Sequence, residues 1–174
     1  MVKLATQLVQ GTNGSDDQNT GAVVPPLYLS TAFRHPALGQ STGYDYSRLT
    51  TPTRALLETQ LATIEHGTHA FAVSSGMAAI DLVFSTFTKT GDHFIASDDL
   101  YGGSFRYFDE RAERYQILYD TWDGVDVDAL LLAIRPNTRL IRLETPSNPT
   151  MKVIDIDDVS SAVHGVRPDI LIAV

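Results

Sequence analysis

The sequence predicts an α/β fold: a mostly parallel sheet layered with helices and preceded by an irregular N-terminal arm. Three observations carry that prediction. From about residue 69 onward, short apolar runs alternate with helical stretches of ten residues or so, the rhythm of strand–helix–strand crossovers. The runs are nearly continuous in apolar residues, as strands are when helices cover both faces of a sheet. Before residue 50 no regular period is sustained, and turn formers such as Asn13-Gly14, Pro25-Pro26 and Gly43 recur.

Each element follows from local chemistry. The first clear helix opens at Thr51-Pro52-Thr53, with Thr51 as N-cap, Pro52 in the first helical position and Gly67 available to end it. Leu56, Leu57, Gln60, Leu61 and Ile64 set its stripe at helical spacing. Residues 69–73 read as a strand and 77–87 as a helix; 93–97 ("HFIAS") read as a strand and 103–114 as a helix. A strand at 116–121, a helix at 126–134, a strand at 139–145, a helix at 155–164 and a strand at 169–174 complete the pattern.

Composition narrows the function. A chain of 174 residues is one domain with a sizeable core, or part of a larger one. No run of about 18 apolar residues predicts a membrane span, and the first residues lack the apolar core of a secretory leader. Zero cysteines exclude thiolate catalysis and cysteine-bound zinc, and fit a cytoplasmic setting. The net charge of −8 argues against nucleic acid as a partner, since such binders need clustered Lys and Arg.

Ligands of open parallel sheets sit outside the carboxyl ends of the strands. There the sequence places Ser74-Ser75-Gly76, residues 98–103 ("DDLYGG") and residues 144–149 ("ETPSNP"). The amides of Gly76 and Met77 open a helix and can receive an anion, with Gly76 admitting close approach. Alternatively Ser75 simply caps that helix. Tyr101 is either a stacking platform for a planar ligand or a rim residue packed on its neighbours. Asn148 either aims its amide at a ligand or closes its turn. Tyr46 and Arg48 offer a hydroxyl and a guanidinium suited to phosphate, or make a surface contact. His66 and His69 straddle a helix end without a zinc motif, so no metal site is expected; His35, His93 and His164 read as rim or helix residues.

Taken together, "TGAVVPPLYLSTAF", "YDYSR..TPTR..LE..LA..E", "SSGMAAI", "DDLYGGSFRYF", "PNTRLIRLETPSNPTMKVIDI" and "ILIAV" resemble the Cys/Met-metabolism family of pyridoxal-phosphate enzymes. Cystathionine γ-synthase and γ-lyase are members. The segments follow the family's order across nearly the whole chain. The resemblance implies the large domain of an aminotransferase-like, fold type I enzyme. Residues 1–50 would be an interface arm touching cofactor in trans, and 51–174 part of the cofactor-binding domain. Ser75, Gly76 and Met77 would hold the phosphate of pyridoxal 5′-phosphate. Tyr101 would stack on its ring and take part in catalysis, and Asn148 would bond its phenolic oxygen. Tyr46 and Arg48 would reach the phosphate of a neighbouring protomer in a homo-oligomer, a tetramer in the family. Arg106 and Tyr46 would lie near a sulfur amino-acid substrate, and Glu144 at the strand end before the asparagine turn.

The implied activity is β- or γ-elimination or γ-replacement in trans-sulfuration, of lyase or synthase type. The alternatives are an O-acetylhomoserine-type sulfhydrylase and a non-catalytic assembly fragment. Gly103 disfavours methionine γ-lyase, which typically has cysteine there. Thr51-Pro52-Thr53 departs mildly from the family's Asn-Pro-Thr. The Schiff-base lysine and the pyridine-pairing aspartate are expected beyond Val174, together with a C-terminal domain. Lys3, Lys89 and Lys152 are expected on the surface, with Lys152 led away from the rim, so the chain alone is expected to be inactive.

Overall fold

A computed structural model describes residues 3–10 and 20–174. They form two compact units, one ending at Val73 and the other running from Ser74 to Val174. Asn13-Gly14 lies outside the described residues.

The first unit holds two helices, α1 (Leu4–Gln10) and α2 (Pro52–Ile64). The arm was expected to be irregular throughout; α1 corrects that, and its signal is the four-residue spacing of Leu4 and Leu8. Gln60 of α2 donates its side-chain amide to the carbonyls of Gln7 (3.2 Å) and Leu8 (2.9 Å), late carbonyls that lack partners inside α1. Thr51 caps α2 by accepting the Arg54 N–H at 3.2 Å, with Pro52 next. The left-handed residue after the helix is His66 (φ 54°), not Gly67. Thr31 and Phe33 meet Ser47 and Asp45 through two backbone hydrogen bonds of 2.8 and 3.0 Å. Among the described residues of this unit none is buried.

Residues 69–73 are not a strand. A strand exists through its ladder, and no described segment pairs with this one; the Ala72 N–H goes instead to the Glu58 carboxylate at 3.0 Å.

The second unit is the predicted layered sheet. Its elements are α3 (Gly76–Phe87), β1 (His93–Ser97), α4 (Gly102–Tyr115), β2 (Leu118–Trp122), α5 (Val127–Ala133), β3 (Thr138–Arg142), α6 (Ile156–Val166) and β4 (Leu171–Ala173). The four strands are parallel in the order β2-β1-β3-β4. β2 starts two residues later than expected because Gln116 closes α4 in the left-handed conformation (φ 55°).

Strand alternation divides the core into two layers. Phe94 and Ala96 of β1, Leu140 of β3 and Ala173 of β4 meet Phe84 of α3 and Phe108 of α4. On the other face Ile95, Ile141 and Leu143 meet Leu130 of α5 and Val159 and Val163 of α6. Phe84, Phe94 and Phe108 contact one another with ring centroids 4.7–4.9 Å apart, the tilted and edge-on geometries that aromatic quadrupoles favour. His93, expected at a rim or on a helix, is fully buried at the start of β1; its Nδ1 lies 2.8 Å from Thr138 Oγ1.

Candidate functional site

After β1 the chain turns one way to β2 and then crosses to β3 on the other side, so β1 and β3 flank the point where the strand order reverses. A crevice outside the carboxyl ends is expected there. A cavity of about 550 Å³ opens at this place, lined by Ser75, Gly76, Met77, Tyr101, Arg142 and Glu144 among others.

Its first wall is the start of α3. Ser75 is the N-cap: its Oγ accepts the Ala78 N–H at 3.1 Å and its carbonyl accepts the Ala79 N–H at 3.1 Å. The capping reading of Ser75 is therefore correct, and the cap leaves the two following amides, those of Gly76 and Met77, without an acceptor inside the helix. A Cβ on Gly76 would meet nothing within 4 Å, so the space beside these amides is open.

The second wall is the loop after β1. Tyr101 precedes α4, and its N–H donates to Glu144 Oε1 at 2.9 Å. Glu144 is itself held by its N–H donating to Ser97 Oγ at 3.1 Å, so the ends of β1 and β3 jointly fix Tyr101. Gly103 has a specific reason: a Cβ there would overlap the Tyr101 ring. Tyr101 remains half exposed, with its ring available to a ligand.

The third wall comes from β3 and α4. Leu140, Arg142 and Glu144 project from the same face of the β3 chain, because successive side chains alternate. Leu140 belongs to the core, and Arg142 and Glu144 line the cavity beyond it. Burial pulls the Arg142 guanidinium down from its ordinary range, and nearby Glu144 opposes that. Ser104, in the first turn of α4, also lines the cavity. The sequence reading missed both residues, yet the charged Arg142 inside the strand "RLIRLET" was the available signal.

The turn after β3 is fastened to the loop after β1. The Asp99 carboxylate accepts from the hydroxyls of Ser147 and Thr150 and from the Thr150 N–H, which hold it below the usual carboxylate range. Asn148 sits exposed in this turn and does not line the cavity; Arg106 is exposed on α4 and does not line it either. Lys152 was expected to be led away from the rim. Instead its Nζ binds the Asp98 carboxylate at 3.0 Å and the Asp123 carbonyl at 3.3 Å, directly after β1 and β2. The acidic strand end holds it there, outside the cavity lining. Tyr46 and Arg48 belong to the first unit, where the guanidinium lies over the Tyr46 ring, 4.7 Å from its centroid.

The chain is similar to known proteins over nearly its whole length. Cystathionine gamma-synthase/O-acetylhomoserine (thiol)-lyase of Bacillus subtilis (strain 168) is 45% identical over 163 residues, 92% of this chain and 43% of that protein. Cystathionine beta-lyase of Lactococcus lactis subsp. cremoris (strain MG1363) is 42% identical over 161 residues, again 92% of this chain and 42% of the relative. The crystal structure of cystathionine gamma-lyase from Lactobacillus plantarum, complexed with L-serine, superposes with a TM-score of 0.89 at 40% identity, covering 98% of this chain and 44% of that one. The chain thus spans less than half the length of these relatives, and the fold is that of their fold type I neighbours. Residues 5–174 match the family described as Cys/Met metabolism PLP-dependent enzyme, and the chain belongs to that family.

Proposed function

We propose that this chain is the cofactor-cradling part of a trans-sulfuration enzyme that performs β- or γ-elimination or γ-replacement on cystathionine or a related sulfur amino acid. The observation that carries the reading is the cavity at the strand-order reversal, where the free amides of Gly76 and Met77, the half-exposed ring of Tyr101 and Glu144 converge. These residues fit pyridoxal 5′-phosphate. An anion suits the helix start, and a planar ring suits the tyrosine face. Bound there, the cofactor supplies an electron sink for the carbanion formed at the substrate Cα.

The chain's own residues have separable tasks. Ser75 fixes the first turn of α3 so that the two following amides point at the phosphate. Glu144 fixes the Tyr101 backbone, and Gly103 leaves room for its ring to lie against the cofactor. Asn148 and Arg106, outside the cavity lining here, would reach the phenolic oxygen and the substrate only from its rim, Tyr46 would approach the substrate, and Tyr46 and Arg48 would reach the phosphate of a second protomer. Such an arm requires a homo-oligomer, a tetramer on this reading, in a cytoplasmic setting. An O-acetylhomoserine-type sulfhydrylase is the second reading, favoured by the 45% identity to a protein that bears both activities in its name. The test is equilibrium dialysis of the 174-residue chain against pyridoxal phosphate and pyridoxal. Retention of the phosphorylated form alone is expected; equal retention of both would count against the α3 site.

A further inference from the structure

Two polar groups in the cavity walls are sealed from water without a partner. Ser104 is 1% exposed, and neither its Oγ nor Arg142 Nη1 has a hydrogen-bond partner among the described residues. Both residues line the same cavity as Gly76 and Met77. Glu144 lies close enough to favour the Arg142 charge, but no hydrogen bond joins it to Arg142 Nη1. A buried guanidinium nitrogen without an acceptor is a costly arrangement. The start of α3 also carries partial positive charge, so two positive centres face one cavity, with the Glu144 carboxylate at its wall beside the Tyr101 N–H. An anion between them satisfies both.

We propose that Arg142 and Ser104 complete an oxyanion site with the start of α3. Arg142 supplies, from within the same chain, the counter-charge to a phosphate group whose other oxygens meet the Gly76 and Met77 amides. The inference rests on the phosphate reading given above and extends it. The guanidinium presents a planar pair of donors that matches two phosphate oxygens, and the Ser104 hydroxyl donates a further bond. Phosphate affinity in this chain then does not depend on Arg48 alone. The ligand chemistry is a phosphate monoester or free phosphate.

The test is binding and thermal unfolding of the full chain with inorganic phosphate and, separately, with pyridoxal phosphate. Four proteins are compared: the parent chain, Arg142→Met, Arg142→Lys and Met77→Pro. Proline is accepted in a first helical turn, and here it deletes one amide donor of the α3 site. Arg142→Met is expected to unfold at or above the parent temperature without anion, since a desolvated guanidinium nitrogen without an acceptor is gone. It is expected to bind pyridoxal phosphate about ten- to a hundredfold more weakly, the loss of one charge-assisted contact. Arg142→Lys is expected to recover part of that loss. Weakening of free phosphate to the same degree supports a site for the anion itself; weakening of the ester alone supports a site for the monoester. If Met77→Pro loses affinity while Arg142→Met keeps it, the inference is overturned and the α3 site stands. If neither loses affinity, both fall. If Arg142→Met destabilises the anion-free chain, Arg142 serves an internal partner and the inference is overturned.

Discussion

The residues up to Val73 and those from Ser74 onward use their apolar side chains in opposite ways. In the first unit Val23, Val24, Leu27, Leu29 and Leu38 all stand in solvent, Leu29 at 92% exposure. In the second, Phe84, Phe94, Phe108, Leu130 and Leu140 are fully buried in two layers around a sheet. The difference lies in periodicity. Apolar residues placed at strand or helix spacing find one another within the chain. Those of the first unit have no such spacing outside its two helices and stay exposed among the described residues.

Mutations can break or sharpen this contrast. The largest expected effect is in the second unit: Phe94→Ala should cost about 3–5 kcal/mol of unfolding free energy, the usual range for a buried aromatic. Leu29→Ala in the first unit should stay within about 0.5 kcal/mol. Urea titration checks the pair, and comparable losses would dissolve the distinction. Next, Gly103→Ala forces the Tyr101 ring aside, an overpacking expected to cost about 1–3 kcal/mol in stability or cofactor affinity combined. A crystal structure of that variant with an unmoved ring would contradict this expectation. Smaller again, Tyr101→Ala should weaken pyridoxal-phosphate binding by roughly 0.5–1.5 kcal/mol, the value of a ring stack beyond buried area. Unchanged binding by calorimetry would leave Tyr101 as a rim residue.

The shallowest effect concerns pH. Burial, then the Arg135 charge, depress His93 below its ordinary 6.5, and Asp120 only partly offsets them. The folded state therefore holds His93 neutral while the unfolded chain takes up the proton. Stability should be full above about 6.5 and fall as the pH drops below that value. Thermal unfolding between pH 7.5 and pH 5.5 checks this; in His93→Gln the slope in that window should flatten. The carboxylates are unaltered in that variant, so an unflattened slope would assign the acid sensitivity to them.

Much of this was legible in the residues. Helix 52–64 was announced by Thr51-Pro52, and β1 was read at its observed limits because "HFIAS" is an uninterrupted run after a turn. Ser75, Gly76, Met77 and Tyr101 could be placed at one rim, since the carboxyl ends of parallel strands share an edge. Other features depend on three-dimensional partners. Residues 69–73 have strand composition but no ladder, which no local pattern reveals. Arg142 and Glu144 share a face only once β3 is fixed, and the tether of Lys152 to Asp98 links residues 54 apart in sequence. Gly103 was read for what it excludes, while its contact with Tyr101 emerges from the fold of one turn.

The second unit is proposed to hold the cofactor cradle, and the first to present surface to another protomer. Residue-resolved amide exchange of the chain, without and with saturating pyridoxal phosphate, tests both halves at once. Slow exchange is expected in β1 and β3, fast exchange through residues 20–50 of the dilute, monomeric chain, and new protection at Gly76 and Met77 when the cofactor is added. Protection of residues 20–50 equal to that of β1 in the dilute, monomeric chain, or unchanged exchange at Gly76 and Met77, would contradict that proposal.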